Sequence, residues 1–293
     1  MTNEKVIAVD IGGTSIKYGL ATEAGALTEV GETASRASQG GSAVIDSVNK
    51  VVAGILQRNV PVKGIAISTA GIVDRDRKMV VGGSDNIENY VGISFQKTIG
   101  DALSLPVAVE NDVNCALLGE CWQNMPKAKS VLMLAFGTGI GGSLMLNHHL
   151  YRGPRFGAGE VGEMQIGDLN FEQQCSTAAL VRRFNQRFKA SQVANGKQIY
   201  ERAGDPAVQS FLDGYYHEVA RWIQALVTFC DIEEVIVGGG ISAEPKFTNG
   251  IRDAFSAVAS GSFVANTVIR PAQLQNHAGM VGAVRNFLDQ NQR

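Results

Sequence analysis

Residues 6–21 read VIAVDIGGTSIKYGLA. A short apolar run meets a Gly-Gly turn, and Ile16, Tyr18 and Leu20 then alternate with polar or small residues. That pattern predicts two strands around a tight turn, a hairpin. The same unit returns at residues 131–146, VLMLAFGTGIGGSLML, where Gly12 falls on Gly137. An internal repeat of this kind predicts two similar halves facing each other. The repeat is imperfect, because Asp10 in the first unit lies opposite Ala135 in the second.

Outward from these units, strands and helices alternate. Residues 42–58 carry helix-like spacing, and 64–69 (GIAIST) read as a buried strand ending at Ala70-Gly71. Residues 94–104 read as an amphipathic helix and 105–110 (LPVAVE) as another strand. Residues 111–122 open with polar capping residues and continue as a helix. Beyond residue 170 the pattern is mostly helical, apart from a strand and Gly turn at 235–240 (VIVGGG). A helix over 278–288 closes the chain. Strands alternating with helices predict an α/β fold.

Composition narrows the function classes. The chain has 34 glycines in 293 residues, about 12 %, but only 7 prolines. That combination excludes a collagen-like or Pro-rich disordered chain. With 26 basic and 28 acidic residues the net charge is −2, and no end carries a basic run. Neither nucleic acid nor a membrane surface is expected as a partner. No secretory leader and no run of roughly 18 apolar residues is visible, so a cytoplasmic protein is expected. Cys115, Cys121, Cys175 and Cys230 form no CxxC pair and read as reduced core thiols. His148, His149, His217 and His277 are not spaced with them as a zinc site requires.

The glycine-rich segments carry the chemistry. Asp10-Ile11-Gly12-Gly13-Thr14 puts a carboxylate at a strand end beside glycines and a hydroxyl. Glycines admit backbone N–H groups to phosphate oxygens, Thr14 adds a donor, and Asp10 suits Mg²⁺ held through water. The competing reading is a plain hairpin turn. If both hairpin turns cradle one polyphosphate, only the first half supplies a carboxylate. Residues 137–142 (GTGIGG) satisfy the dinucleotide fingerprint G-x-G-x-x-G, but that fingerprint must open a helix. Residues 143–150 (SLMLNHHL) continue instead as a strand. Gly238-Gly239-Gly240 follows an aliphatic strand and would let a flat purine lie on the backbone, or simply make a turn.

Glu110-Asn111-Asp112-Val113-Asn114 follows a strand and starts a helix, the place where α/β sheets bind ligands. Asp112 reads either as a helix N-cap or as a general base accepting the proton of an attacking hydroxyl. Asn111 suits sugar hydroxyls. Glu160, Glu163 and Glu172 form a second acidic set, read as a solvated face, a metal site or acceptors for sugar hydroxyls. Glu160 stands out because it sits inside GAGEVG.

DIGGT, ENDVN, GTGIGG, GAGEVG and a late GGGIS occur in that order along the whole chain, and together they resemble the ROK (repressor, ORF, kinase) sugar kinases. The resemblance implies an actin/hexokinase-like (ribonuclease H-like) fold of two α/β domains, with ATP and sugar in an interdomain cleft. The implied boundaries are a small domain over 1–115, joined by the closing helix 278–293, and a large domain over 116–277. Asp112 matches the base for the sugar 6-hydroxyl. Asp10, Gly12, Gly13, Thr14 and Lys17 match the first phosphate loop, with Mg²⁺ on Asp10 through water. Gly137, Thr138 and Gly139 match the second loop, and Gly239 and Gly240 the late one. Gly71, Asn86, Asn111, Asp112, Glu160, Glu163 and Glu172 match the sugar side. The resemblance also implies a homodimer.

Two departures stand out. The family histidine of E-x-G-H is replaced by Glu163, and 165–171 (QIGDLNF) replace the cysteine-rich zinc loop, so no zinc is expected. This pattern resembles the zinc-lacking branch of N-acetylmannosamine and β-glucoside kinases. Within it, 89–95 (NYVGISF), 110–120 (ENDVNCALLGE) and 171–180 (FEQQCSTAAL) look closer to the former. A β-glucoside kinase or glucokinase is the alternative substrate reading. A non-catalytic sugar-binding regulator is the alternative of another class, and the intact Asp10 and Asp112 speak against it. A repressor is disfavoured because nine residues precede Asp10.

Overall fold

The computed structural model describes residues 4–84, 87–124 and 126–291. The chain divides into two compact units. The first comprises Met1–Met125, Gly153–Gly157 and Asn276–Arg293, and the second Pro126–Arg152 and Ala158–Gln275. In chain order the first unit holds β1 (Lys5–Ile11), β2 (Ser15–Ala21), β3 (Leu27–Ala34), α1 (Gly41–Leu56), β4 (Val62–Thr69), β5 (Ile72–Asp74) and β6 (Met79–Gly82). A π-helical turn, Gln96–Gly100, then runs into α2 (Asp101–Leu103), followed by β7 (Val107–Asn111) and α3 (Asp112–Asn124).

The second unit holds β8 (Ser130–Phe136), β9 (Ile140–Leu146), β10 (His149–Tyr151), β11 (Gln165–Ile166), β12 (Leu169–Asn170), α4 (Phe171–Cys175), α5 (Thr177–Arg187) and α6 (Gly196–Tyr200). It continues with α7 (Pro206–Cys230), β13 (Glu234–Gly238), α8 (Pro245–Val258) and β14 (Val268–Pro271). The last helix, α9 (Ala278–Asn291), returns to the first unit.

The two five-stranded sheets have one topology. Their orders are β3-β2-β1-β4-β7 and β10-β9-β8-β13-β14. In each, a three-strand antiparallel meander is followed by two strands parallel to its first strand. The echo between residues 6–21 and 131–146 thus extends to the whole sheet. The Asp10/Ala135 mismatch places the carboxylate in one unit only. Each unit is thus a mixed-sheet α/β unit, as the resemblance implies.

Strand periodicity sorts the first sheet into two faces. Ile7, Val9 and Ile11 join Ile65, Ile67 and the α1 residues Val44, Val48 and Val52 in one core cluster. Val6, Ala8, Ala66 and Ala108 face the other way, onto Cys115 of α3 and Met280, Ala283 and Phe287 of α9. Small residues on that face let two helices approach closely. At Gly282 of α9 an added Cβ would fall 1.6 Å from the Cys115 carbonyl oxygen. The second unit has an aromatic core, in which Phe171 stacks on Trp222 with centroids 4.7 Å apart and Phe136 meets Phe247 edge-on at 5.2 Å. Its helices start as their sequences direct, with Asn170 and Gln173 forming a capping box on α4, Ser176 capping α5 and Asp205-Pro206 opening α7.

One element differs in kind from its sequence reading. The amphipathic segment 94–104 is π-helical and stops after Leu103. Leu105 N–H reaches back to Gly100 C=O (3.0 Å), Ser104 turns left-handed at φ 53°, and Pro106 cannot continue a helix. Strands β3, β10 and β14 carry no strong pattern of their own. Strand β3 is largely exposed, with Thr28, Glu29, Val30, Glu32 and Ala34 all open to solvent, which suits an edge strand and hides its periodicity.

Candidate functional site

In the first unit the candidate residues collect at the carboxyl ends of three neighbouring parallel strands. Asp10 lies near the end of β1, Thr69 ends β4 just before Gly71, and Asn111 ends β7. Asp112 is the first residue of α3, where the helix dipole favours a carboxylate. Its Oδ1 accepts the Val113 N–H at 2.8 Å. The helix cap belongs to Asn111, whose Oδ1 accepts the N–H groups of Val113 (2.9 Å) and Asn114 (3.0 Å). Asn111 Nδ2 donates to the Gly71 carbonyl at 3.0 Å. Asn111, at the end of β7, therefore caps α3 with the oxygen of its amide and holds the turn after β4 with the nitrogen. Gly71 holds φ +95°, and a Cβ there would meet the Gly82 carbonyl at 2.9 Å. Behind these residues lies buried Glu110, whose Oε1 accepts from Asn111 N–H and Asn114 Nδ2, each at 3.0 Å. Asn86 lies outside the described residues.

The first glycine loop is held from behind and open in front. Gly12 N–H donates to Ser15 C=O (2.9 Å), and Ser35 clamps the turn, its Oγ donating to Gly13 C=O and its N–H to Thr14 C=O, both at 3.0 Å. Gly12, Gly13 and Thr14 are exposed. Asp10 faces Lys17 across the β1–β2 pair. Burial pushes the Asp10 carboxyl above its ordinary range, opposed by the Ser68 hydroxyl bond and by Lys17.

In the second unit two glycine turns meet at the carboxyl ends of parallel neighbours β8 and β13, where Gly238 is level with Ala135. The GTGIGG turn leads from β8 straight into β9, which removes a dinucleotide-type strand-to-helix reading. Gly137 and Thr138 line a cavity of about 880 Å³ together with Gly240, Ile241, Val181 and Asn195. Helix α5 closes the turn from behind: Ala178 N–H donates to Gly137 C=O (3.4 Å) and Thr177 Oγ1 to Phe136 C=O (3.3 Å).

Nearby stand the three glutamates. Glu160 keeps part of its side chain exposed, yet burial of the rest, with the charges of Glu163 and Glu172, pushes its carboxyl up. Glu163 is exposed. Glu172 turns one oxygen inward, where Oε2 accepts the Ile140 N–H at 3.4 Å.

The glycines fall into two classes. A Cβ on Gly142 would stand 2.6 Å from the Gly159 carbonyl, and one on Gly159 would stand 2.5 Å from that of Gly142. At Gly239 it would lie 2.2 Å from the Phe136 carbonyl. These glycines exist for close backbone packing inside the unit. Gly13, Gly137 and Gly240 face open space instead. At these three positions the backbone has open space beside it, which suits the close approach of a ligand.

Among the described residues no cluster of three or more His, Cys, Asp or Glu is arranged to hold a metal ion. The donors near Asp10 still fit Mg²⁺ arriving on a nucleotide. That ion keeps most of its waters and takes one carboxylate plus substrate phosphates. Sequence reasoning passed over Ser35, Ser68, the buried pair Thr69–Tyr90 and the α5–α6 cavity wall. None has a local signature, because each acts on a partner remote in the chain.

The ROK family model matches residues 6–290. A β-glucoside kinase of Klebsiella pneumoniae is 30% identical over 295 residues, covering 97% of this chain and 96% of the relative. The solved structure of a ROK family glucokinase from Streptomyces griseus, in complex with glucose and AMPPNP, superimposes with a TM-score of 0.82 at 28% identity, covering 96% of this chain and 98% of that one. A Listeria monocytogenes structure, of a protein suggested to be an N-acetylmannosamine kinase, gives a TM-score of 0.84 at 28% identity, covering 98% and 99%.

Proposed function

Because the chain belongs to the ROK family, we propose that it is an ATP-dependent sugar kinase acting on the 6-hydroxyl of a hexose or N-acetylhexosamine. The observation that carries the reading is the 880 Å³ cavity, which opens on the exposed glycines Gly137 and Gly240. It has the size of a small-molecule site, and Gly137 and Gly240 present backbone to it with open space where a side chain would stand. In the first unit Asp112 accepts the proton of the sugar 6-hydroxyl. The hydroxyl oxygen bonds to the γ-phosphorus, the bond to the bridging oxygen breaks, and ADP leaves. In the first unit Asp10, Gly12, Gly13, Thr14 and Lys17 are the phosphate-holding residues, and in the second unit Gly137, Thr138, Gly139, Gly239 and Gly240. Mg²⁺, when bound with the nucleotide, spreads the charge of the phosphates. Gly71, Asn86, Asn111, Glu160, Glu163 and Glu172 orient the sugar.

N-acetylmannosamine is the favoured substrate, supported by the segments 89–95, 110–120 and 171–180 and by the Listeria neighbour. A β-glucoside is the second reading, favoured by the Klebsiella relative. A coupled ADP assay over N-acetylmannosamine, glucose and β-glucosides separates the two. The mechanism is tested by Asp112→Asn, which should abolish sugar-dependent ADP release. Near-wild-type turnover in a folded Asp112→Asn variant refutes it. A cytoplasmic homodimer completes the proposal, supported by the family resemblance, and sedimentation checks the assembly.

A further inference from the structure

Strand β4 is aliphatic up to one hydroxyl. Ser68 sits in the run GIAIST, wholly excluded from water. A buried hydroxyl costs free energy unless a strong partner repays it. Its partner is Asp10: Ser68 Oγ donates to Asp10 Oδ1 at 2.6 Å, within the range of a short charge-assisted bond. The parallel register of β1 and β4 sets Asp10 level with Ser68, so the two side chains share one side of the sheet.

A second element closes on the same carboxylate. Gly279, at the start of α9, lies so near that a Cβ there would stand 2.6 Å from Asp10 Oδ1 and 3.0 Å from Oδ2. Ala is ordinarily the better helix former. The glycine leaves room for the carboxylate. Asp10 is thus fixed from β4 and crowded from α9.

We infer that Ser68 is a positioning residue that orients the Asp10 carboxylate toward a nucleotide-borne Mg²⁺. The inference rests on the kinase reading above. Outer partners that orient a ligating carboxylate typically contribute about 10–100-fold to metal affinity.

The test is calorimetric and needs no turnover. The affinity of the intact protein for AMPPNP is measured with excess Mg²⁺ and again in EDTA. The ratio of the two affinities is the metal-dependent gain. Asp10→Asn should lose the gain. Ser68→Ala should lose about tenfold of it with EDTA affinity unchanged within about twofold, and Ser68→Thr, which keeps the hydroxyl, should restore it. Gly279→Ala, which presses on the carboxylate with Ser68 intact, should lower the gain as well and serves if Ser68→Ala does not fold. A full gain in Ser68→Ala, or a parallel loss with and without metal, overturns the inference while leaving the kinase reading intact. A full gain in Asp10→Asn overturns the role of Asp10 itself, and the inference with it.

Discussion

Tyr90→Phe removes one hydroxyl from a pair whose oxygens are 2.6 Å apart. Tyr90 and Thr69 are both 0% exposed, so the hydroxyl left on Thr69 cannot turn to water and keeps only a long 3.4 Å bond to the Ala70 carbonyl. A buried polar group left without its partner costs about 1–3 kcal/mol. Thr69→Val makes the complementary error at similar cost. The double variant replaces both partners by apolar groups of nearly the same shape, which is close to neutral. With each single costing about 1–3 kcal/mol and the double close to neutral, a double-mutant cycle should give a coupling energy of about 2–6 kcal/mol, the double variant being more stable than the sum of the singles predicts. Each single should lower the Tm by several degrees, at roughly 2–4 °C per kcal/mol for a unit of this size.

The pair also has a functional reading. Thr69 immediately precedes Ala70-Gly71, whose Gly71 carbonyl is held by Asn111. The Tyr90 hydroxyl is pushed up to about 12, chiefly by burial, with the charge of Asp112 adding to it. Each single variant should raise KM for sugar more than KM for ATP. Thermal denaturation and a coupled ADP assay read both effects. Strict additivity in the cycle, or equal rises in the two KM values, refutes the reasoning.

Two further outcomes follow from the same geometry. Gly142→Ala drives a Cβ to 2.6 Å from the Gly159 carbonyl and should cost about 1–3 kcal/mol of stability, whereas Gly137→Ala meets open space and should keep its Tm while raising KM for ATP; a denaturation series on the two variants decides. Glu160 is held above its ordinary range by burial first and by Glu163 and Glu172 next, so it ionises only at higher pH than a free glutamate. Glu163→Gln should lower that value and move the acid limb of kcat/KM for sugar to lower pH, and an unmoved limb counts against a role for the Glu160 carboxylate.

Much of the fold was legible because it is written in local periodicity. The hairpins β1–β2 and β8–β9 announce themselves by alternation around glycine turns, and the closing helix by its apolar stripe. The π-turn at Gln96–Gly100 was not legible, since the spacing of 94–104 is equally helical, and the stop depends on Ser104, Leu105 and Pro106 acting together. The candidate site was legible where a residue's chemistry is carried by its neighbours in sequence, as in DIGGT and ENDVN. It was not legible where a residue is defined by a distant partner. Ser68 looks like any strand serine until β1 is laid beside β4. Asn111 reads in the sequence as a sugar ligand, and only the fold adds that its amide caps α3 and holds the Gly71 carbonyl.

The glycine excess shows the division most clearly. By itself the sequence determined that the chain is α/β, that its two hairpin units repeat, and that glycines crowd the strand ends. Those are properties of composition and of spacing along one chain, and they survive without coordinates. Tertiary structure alone decided which glycines are packed against backbone and which have open space beside them. Gly142 and Gly159 lie 17 residues apart yet hold each other's backbones within the reach of a single Cβ, while Gly137 faces open space. The sequence cannot separate these cases, because a missing side chain leaves the same letter whether the room is taken by another strand or kept for a phosphate.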